Sequence, residues 1–184
     1  MTHVMKSAWS IAVGVASVLI AFAGISQAEE GTVRVTAAWE SQGYAFPVGE
    51  DQSYMVAVYT GVMFVDGGKG SLEAASVVCP GTLDANLAKG TKMGEGRCTI
   101  TDADGDRVFA RYSCSGDILE SCRGPFTLLS GTGKFAGITG GGEMIVRVQA
   151  RQFTAFAGME NVHQQGIGAA VWPALQYKIP EKFK

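Results

Sequence analysis

Four polar residues lie in segments that are otherwise apolar, where their side chains could do chemistry inside a folded core. Glu40 ends one predicted strand and Tyr59 lies in the middle of a second. Arg111 and Tyr112 are adjacent in a third predicted strand, so they occupy opposite faces of it. A charged or phenolic group that faces an enclosed space can orient a ligand or act as an acid or base. We therefore take these four as candidate ligand-binding residues and assign no catalytic residue. The alternative is that Glu40 and Arg111 face solvent and that the tyrosines pack in a core or interface.

Three aspartates surround a predicted hairpin turn, Asp102-Ala103-Asp104-Gly105-Asp106. Asp-Gly between alternating residues is typical of a tight β-hairpin, because glycine accepts the positive φ that the turn requires. Neighbouring carboxylates also suit calcium, but an EF-hand loop needs more ligands, a distant glutamate and flanking helices. The sequence favours a solvated turn over a cation site and predicts no metal.

A glycine-rich segment, Ser130 to Gly140, contains Gly131-Thr132-Gly133-Lys134-Phe135. A phosphate-binding P-loop would place Ser or Thr after the lysine and a helix after that. Here phenylalanine and strand-forming residues follow instead. The segment is therefore interpreted as a glycine-kinked bend between two barrel strands, and no cofactor is predicted.

The four cysteines, Cys79, Cys98, Cys114 and Cys122, all follow the N-terminal apolar run. Their even number in an exported chain predicts two disulfides, with three connectivities open. Pairing Cys79 with Cys98 and Cys114 with Cys122 is favoured, because each pair would join neighbouring strands across a short connection. No C-x-x-C motif supports a zinc or thioredoxin-type redox site.

The N-terminus has the features of a secretory signal peptide, predicted over residues 1–28. Lys6 precedes an apolar run from Ala8 to Ala23, and the small residues Ser26 and Ala28 suit signal peptidase cleavage. That run is short for a membrane anchor, so we predict no membrane span after cleavage and a periplasmic or secreted protein. The net charge of −2 and the lack of a basic cluster argue against nucleic-acid binding.

The remaining residues, 29–184, are predicted to form a single all-β domain. Period-two alternation begins at Val33, Val35, Ala37 and Trp39, and Ser53–Val65 is apolar on both faces. Only a short helical turn near Leu83–Lys89 is expected. Some eight strands joined by short turns predict an antiparallel, lipocalin-like barrel. Further strands are predicted over Leu72–Cys79, Arg97–Thr101, Arg107–Cys114, Phe126–Leu129, Lys134–Ile138, Glu143–Gln152 and Ala169–Tyr177; Trp172-Pro173 indicates an edge or a bulge.

The Gly131–Phe135 segment resembles the shared signature of the allene oxide cyclase and dirigent proteins. The charged hairpin from Asp104 to Tyr112 is similar to bacterial members of that barrel group. The resemblance is local, and the cysteines and the Arg147–Arg151 strand depart from it. It implies a calycin-like barrel, often a homotrimer, whose apolar lumen positions a hydrophobic or phenolic substrate and supplies little chemistry of its own.

Three functions fit such a barrel. The first is an exported module that binds a small hydrophobic ligand in its lumen; the apolar strands and the lack of a recognisable nucleophile–base pair favour it. The second is a cyclase or isomerase of the allene oxide cyclase type, which would hold a reactive substrate in one conformation. The third is a non-enzymatic subunit of a cell-envelope assembly. The expected partners are accordingly a small apolar molecule, further copies of the chain in a homotrimer, or an envelope protein.

Overall fold

The computed structural model describes residues 28–118, 120–148 and 162–181, which form one closed barrel of eight strands. Each strand pairs antiparallel with the next, and β8 pairs with β1 to close the ring. This confirms the predicted fold class. The strands are β1 (Glu29–Gly49), β2 (Gln52–Val65), β3 (Ala75–Asn86), β4 (Thr91–Thr101), β5 (Arg107–Asp117), β6 (Ser121–Gly131), β7 (Thr139–Val148) and β8 (Val162–Ile179).

Two parts of the predicted chain fall outside this description. The signal peptide lies there apart from Ala28, so it stays a prediction. The last residues of the predicted strand Glu143–Gln152 lie there too, whereas its described part belongs to β7. Within the described residues, no helix has the length and apolar character that crossing a bilayer demands.

The predicted helical turn over Leu83–Lys89 is wrong, because β3 begins at Ala75 and continues to Asn86. Leu83 and Ala85 are buried while Asp84 between them is exposed, so the period-two alternation simply continues. The turn that follows spans only residues 87–90.

The predicted strand over Lys134–Ile138 is also wrong. A short 3-10 helix, Gly133–Phe135, replaces it between β6 and β7. The backbone N–H of Lys134 donates to the Asp106 carboxylate at 3.0 Å. Gly133 has a φ of +49°, in the left-handed region that favours glycine. The segment therefore turns towards the β4–β5 hairpin and does not extend along the barrel wall.

The aspartate hairpin is held by that same segment. Asp102 is buried, and its Oδ1 accepts the backbone N–H groups of Asp104 at 3.0 Å and Asp106 at 2.9 Å. Lys134 Nζ lies 2.5 Å from Asp102 Oδ2 and 2.6 Å from Asp104 Oδ2. The glycine-rich motif thus places a lysine on the aspartates, and we call this contact the lysine clip.

One end of the barrel, which we call the packed end, is filled by apolar side chains. They come from several strands and from the β6–β7 connection, and all belong to one buried cluster: Val35, Met63, Ile100, Val108, Leu128, Phe135, Ile138 and Leu175. Each is at most 4% exposed. The predicted bulge at Trp172-Pro173 is confirmed nearby, because the β1–β8 register shifts between Val33 and Val35.

Candidate lumen ligand site

The side chain of Tyr112 fits into the lumen because the neighbouring strands β4 and β3 carry glycines beside it. It pairs with Gly96 of β4, which in turn pairs with Gly81 of β3. A β-carbon at Gly96 would lie 2.7 Å from the Tyr112 hydroxyl oxygen, and one at Gly81 would lie closer still. Since neither glycine has a β-carbon, the phenol lies flat across two strands.

Trp39 uses the same arrangement on the other side of the barrel. Its strand neighbours are Gly61 of β2 and Gly168 of β8, and a β-carbon at Gly168 would overlap the indole. The Trp39 ring meets Tyr59 edge to face, with centroids 5.3 Å apart and planes at 86°. Large aromatic rings opposite glycines thus shape the lumen from both sides.

A cavity of about 110 Å³ lies inside the barrel, beyond the packed end. It extends to Lys92 and Gly166, close to the opposite end. Its wall is mainly apolar, so it offers a ligand dispersion contacts and little competition from water. Representative lining residues are Trp39, Met55, Val77, Met144, Val146 and Trp172.

Tyr59 and Tyr112 both line this cavity. Burial raises the pKa of Tyr59 to about 12. The pKa of Tyr112 is raised further, chiefly by burial and then by the neighbouring Tyr59 and Glu95. Both phenols therefore keep their protons at physiological pH, and within the described part of the chain neither hydroxyl has a hydrogen-bond partner.

Lys92 brings a positive charge to the far end of the cavity. It is only 4% exposed, and its Nζ donates to the backbone carbonyls of Ile118 and Glu120, each at 3.1 Å. Burial lowers the pKa of Lys92, while the Asp117 carboxylate opposes that shift. The side chain thus links β4 to the β5–β6 connection, and its positive charge lies beside the cavity.

Trp172 contributes a buried donor to the same wall. The residue is 3% exposed and packs edge to face on Phe126 at 5.1 Å. Its indole Nε1 is buried without a hydrogen-bond acceptor among the described residues. Buried polar groups are normally satisfied, so this donor requires an explanation.

Both disulfides face the lumen and have the favoured pairing. Cys79 is bonded to Cys98, and Cys114 to Cys122. All four residues line the cavity. Each bond joins adjacent strands, so the pair fixes the wall from β3 to β6, and loops of this length stabilise a fold by about 3 kcal/mol each in the chain-entropy account.

Two of the four predicted site residues do not face the lumen. Glu40 and Arg111 are exposed on the outer surface of the barrel, so their selection as lumen candidates is wrong. The physical reason is strand alternation, because Trp39 and Tyr112 take the inward positions next to them. The ligand-binding role of Tyr59 and Tyr112 stays a prediction.

Lys92 and Trp172 were missed as cavity residues. Lys92 precedes Cys98 by six residues in one strand, so the two share a face. The disulfide cysteine was therefore a usable signal for the inward face of β4. Among the described residues, no group of three or more His, Cys, Asp or Glu side chains is arranged to hold a metal ion.

The backbone of this chain is similar to that of a solved dirigent protein. That protein is the pterocarpan synthase dirigent protein, with a TM-score of 0.49 and 10% identity, and the match covers 85% of this chain and 90% of that one. No protein-family profile matches the chain, and no curated protein matches it. Membership in the allene oxide cyclase and dirigent superfamily stays a prediction.

Proposed function

We propose that this protein is a binding module that encloses a small hydrophobic molecule inside its barrel. The observation that carries the proposal is the lumen cavity of about 110 Å³ with its mainly apolar wall. An eight-stranded barrel is just wide enough to be filled by side chains or to hold one small ligand. Here the packed end is filled, and the cavity lies beyond it.

The size and chemistry of the cavity define what it can accept. An engineered apolar cavity of about 150 Å³ in another protein stays dry and binds benzene. The aromatic rings of Trp39, Tyr59 and Trp172 offer edge and face contacts to an unsaturated or cyclic ligand. The expected ligand is therefore close to benzene in bulk.

Export to the periplasm or the medium belongs to the same proposal. Two disulfides lie in the described residues, which points to a non-cytosolic compartment. The predicted signal peptide over residues 1–28 is consistent with that location. A carrier outside the cytosol would meet small apolar molecules as they cross the cell envelope.

Extraction of the purified protein tests the proposal. After denaturation in organic solvent, mass spectrometry should detect a small apolar compound in about equal amount to the protein. The variant Ala170→Leu adds bulk to a cavity wall residue that is 6% exposed, and it should abolish recovery of the compound.

The matched control is Ala169→Leu, one residue earlier on β8 and outside the cavity lining. It should retain the compound as the unmodified protein does. Equal recovery from both variants would place the compound elsewhere on the molecule and contradict the proposal.

A cyclase or isomerase is the second candidate, and the desolvated phenols of Tyr59 and Tyr112 favour it. Raised pKa values keep both as neutral donors, which could steady negative charge that develops on a substrate oxygen. Both candidate functions require a ligand to bind in the lumen, so binding is the function that we propose first.

The outer surface supports a partner as well as a ligand. The outward side chains of β1, β2 and β3 form an outer apolar face: Tyr44, Phe46, Val48, Val56, Val58, Val62, Phe64 and Val78, each 38–56% exposed. Strand pairing sets Tyr44 opposite Val56 and Val78 opposite Thr60, so these side chains are neighbours. The polar residues Glu40 and Gln42 are also exposed among them, and exposed apolar clusters of this kind often mark interaction sites. We assign this face to contacts between copies of the chain, with an envelope protein as the competing occupant.

A further inference from the structure

Three hydrogen-bond donors line the lumen cavity without an acceptor in the described part of the chain. The indole Nε1 of Trp172 is fully buried, whereas the hydroxyls of Tyr59 and Tyr112 belong to half-buried residues of the same cavity wall. Donors left unpaired in an apolar enclosure lose their interactions with water and gain nothing in return. A protein wall of this kind is complementary to a molecule that supplies the missing acceptor.

The two phenols act on one region of the cavity. The Tyr112 hydroxyl lies over Gly81 of β3, and Tyr59 pairs with Cys79, two residues earlier on that strand. Their rings are held from behind: Tyr59 stacks edge to face on Trp39, and Tyr112 lies over the glycines of β3 and β4. Donors in fixed positions lose little conformational entropy when they bind.

We infer that the lumen ligand carries a carbonyl oxygen that accepts hydrogen bonds from Tyr59 and Tyr112, while its apolar body lies against Trp39 and Met55. The inference rests on the proposed function, since it specifies the ligand of the same cavity. A carbonyl oxygen suits the site because its two lone pairs can accept both donors at once. The ammonium of Lys92 at the far end adds a potential that disfavours a cationic ligand.

Two probes of nearly equal shape separate the carbonyl from the hydrophobic contribution. Cyclohexanone has a C=O where methylenecyclohexane has a C=CH₂, and both are close to benzene in bulk. Their affinities for the purified protein are measured by NMR titration. The effect of each tyrosine substitution is compared between the two probes. Their absolute affinities are not compared, because the two probes also differ in the free energy needed to remove them from water.

Tyr59→Phe and Tyr112→Phe each remove one hydroxyl and keep the ring. Each should weaken cyclohexanone binding by about 2- to 10-fold, the range expected for one hydrogen bond. Neither should weaken the binding of methylenecyclohexane. Tyr54→Phe is the matched control, since Tyr54 lies on the same strand, five residues away and outside the cavity lining, and it should change neither affinity.

Infrared spectroscopy gives a second readout. The carbonyl stretch of bound ¹³C=O cyclohexanone should move to lower frequency in the unmodified protein and move back in the double variant Tyr59→Phe/Tyr112→Phe. If both probes bind but the tyrosine variants leave cyclohexanone affinity and frequency unchanged, the carbonyl inference is overturned and the proposed function stands. If neither probe binds in the lumen, the proposed function fails with it.

Discussion

Asp102 and Asp104 contact the same lysine, yet their carboxylates should contribute very differently to stability. The Asp102 side chain is 1% exposed and accepts two backbone N–H groups, whereas that of Asp104 is 74% exposed. Asp102→Ala leaves those backbone donors without their acceptor, so we expect a loss of about 1–3 kcal/mol in the free energy of unfolding. Asp104→Ala should cost less than about 0.5 kcal/mol. Urea denaturation of the two variants measures both, and equal losses would show that the lysine clip works only through surface charge.

The lysine clip also predicts a pH dependence. Burial alone would raise the pKa of Asp102, but the hydrogen bonds from Lys134 and the backbone hold it below its usual 3.8. A carboxyl with a depressed folded-state pKa contributes stability above its unfolded pKa and loses it as pH falls through the folded pKa. The hydrogen bonds to Asp102 and Asp104 raise the pKa of Lys134, so its charge persists through neutral pH.

The stability difference between the unmodified protein and Asp102→Asn should therefore be constant from about pH 5 to 8 and shrink below about pH 4. Thermal denaturation across this range measures it. A difference that instead grew on acidification would mean that the folded carboxyl has a raised pKa.

At the residue scale, the sequence distinguishes the tyrosines from the charged candidates only in part. Tyr59 and Tyr112 line the cavity, and their role in binding a ligand stays a prediction. The sequence alone does not separate Glu40 and Arg111 from them, because strand phase is ambiguous until the inward set is known. The orphan donor of Trp172 has no signature in sequence, since it depends on where the indole lies in three dimensions.

Gly133 begins the short 3-10 helix that carries the lysine of the lysine clip. Its φ is +49°, and a β-carbon there would meet the Asp106 carboxylate. That carboxylate is tied to the backbone of Lys134, so it cannot move aside without breaking a hydrogen bond. We expect Gly133→Ala to lower the free energy of unfolding by more than about 2 kcal/mol.

Gly105→Ala is the matched control for this prediction. Gly105 also has a positive φ, of +87°, but a β-carbon added there would have no other atom within 4 Å. Gly105→Ala should therefore lower the free energy of unfolding only by the backbone cost of about 1 kcal/mol. Equal effects of the two substitutions would mean that the Asp106 contact does not matter.

Most elements followed from alternation and turn chemistry. The Asp-Gly hairpin and the doubly apolar second strand are both present. The two errors, Leu83–Lys89 and Lys134–Ile138, share a cause. In each, a local preference was assigned without its tertiary partner: the β4 strand that continues to pair with β3, and the aspartate hairpin that captures the lysine.

Association of the whole molecule can be tested on the outer apolar face. We expect the protein to sediment as an oligomer, and Val58→Glu should shift it towards the monomer because a charge would be buried between copies. Leu129→Glu is the control, since Leu129 is similarly exposed on β6, away from that face. If Val58→Glu left the sedimentation unchanged, the face would not join copies of the chain.

Closure of the barrel was predictable at the scale of the molecule, because many short strands linked by turns leave edges that a ring removes. The cavity was not. Its volume depends on which aromatic rings lie over glycines such as Gly81 and Gly168, and that pairing across strands is set only by the register.

Binding within the lumen is tested most directly by benzene titration of protein labelled with ¹³C at its methionine methyl groups. Met55 and Met144 line the cavity, whereas Met93 is 65% exposed. We predict intermolecular NOEs from benzene to the Met55 and Met144 methyl groups and none to Met93. NOEs to Met93 alone, or no NOE to any lumen methyl group at saturating benzene, would contradict the account.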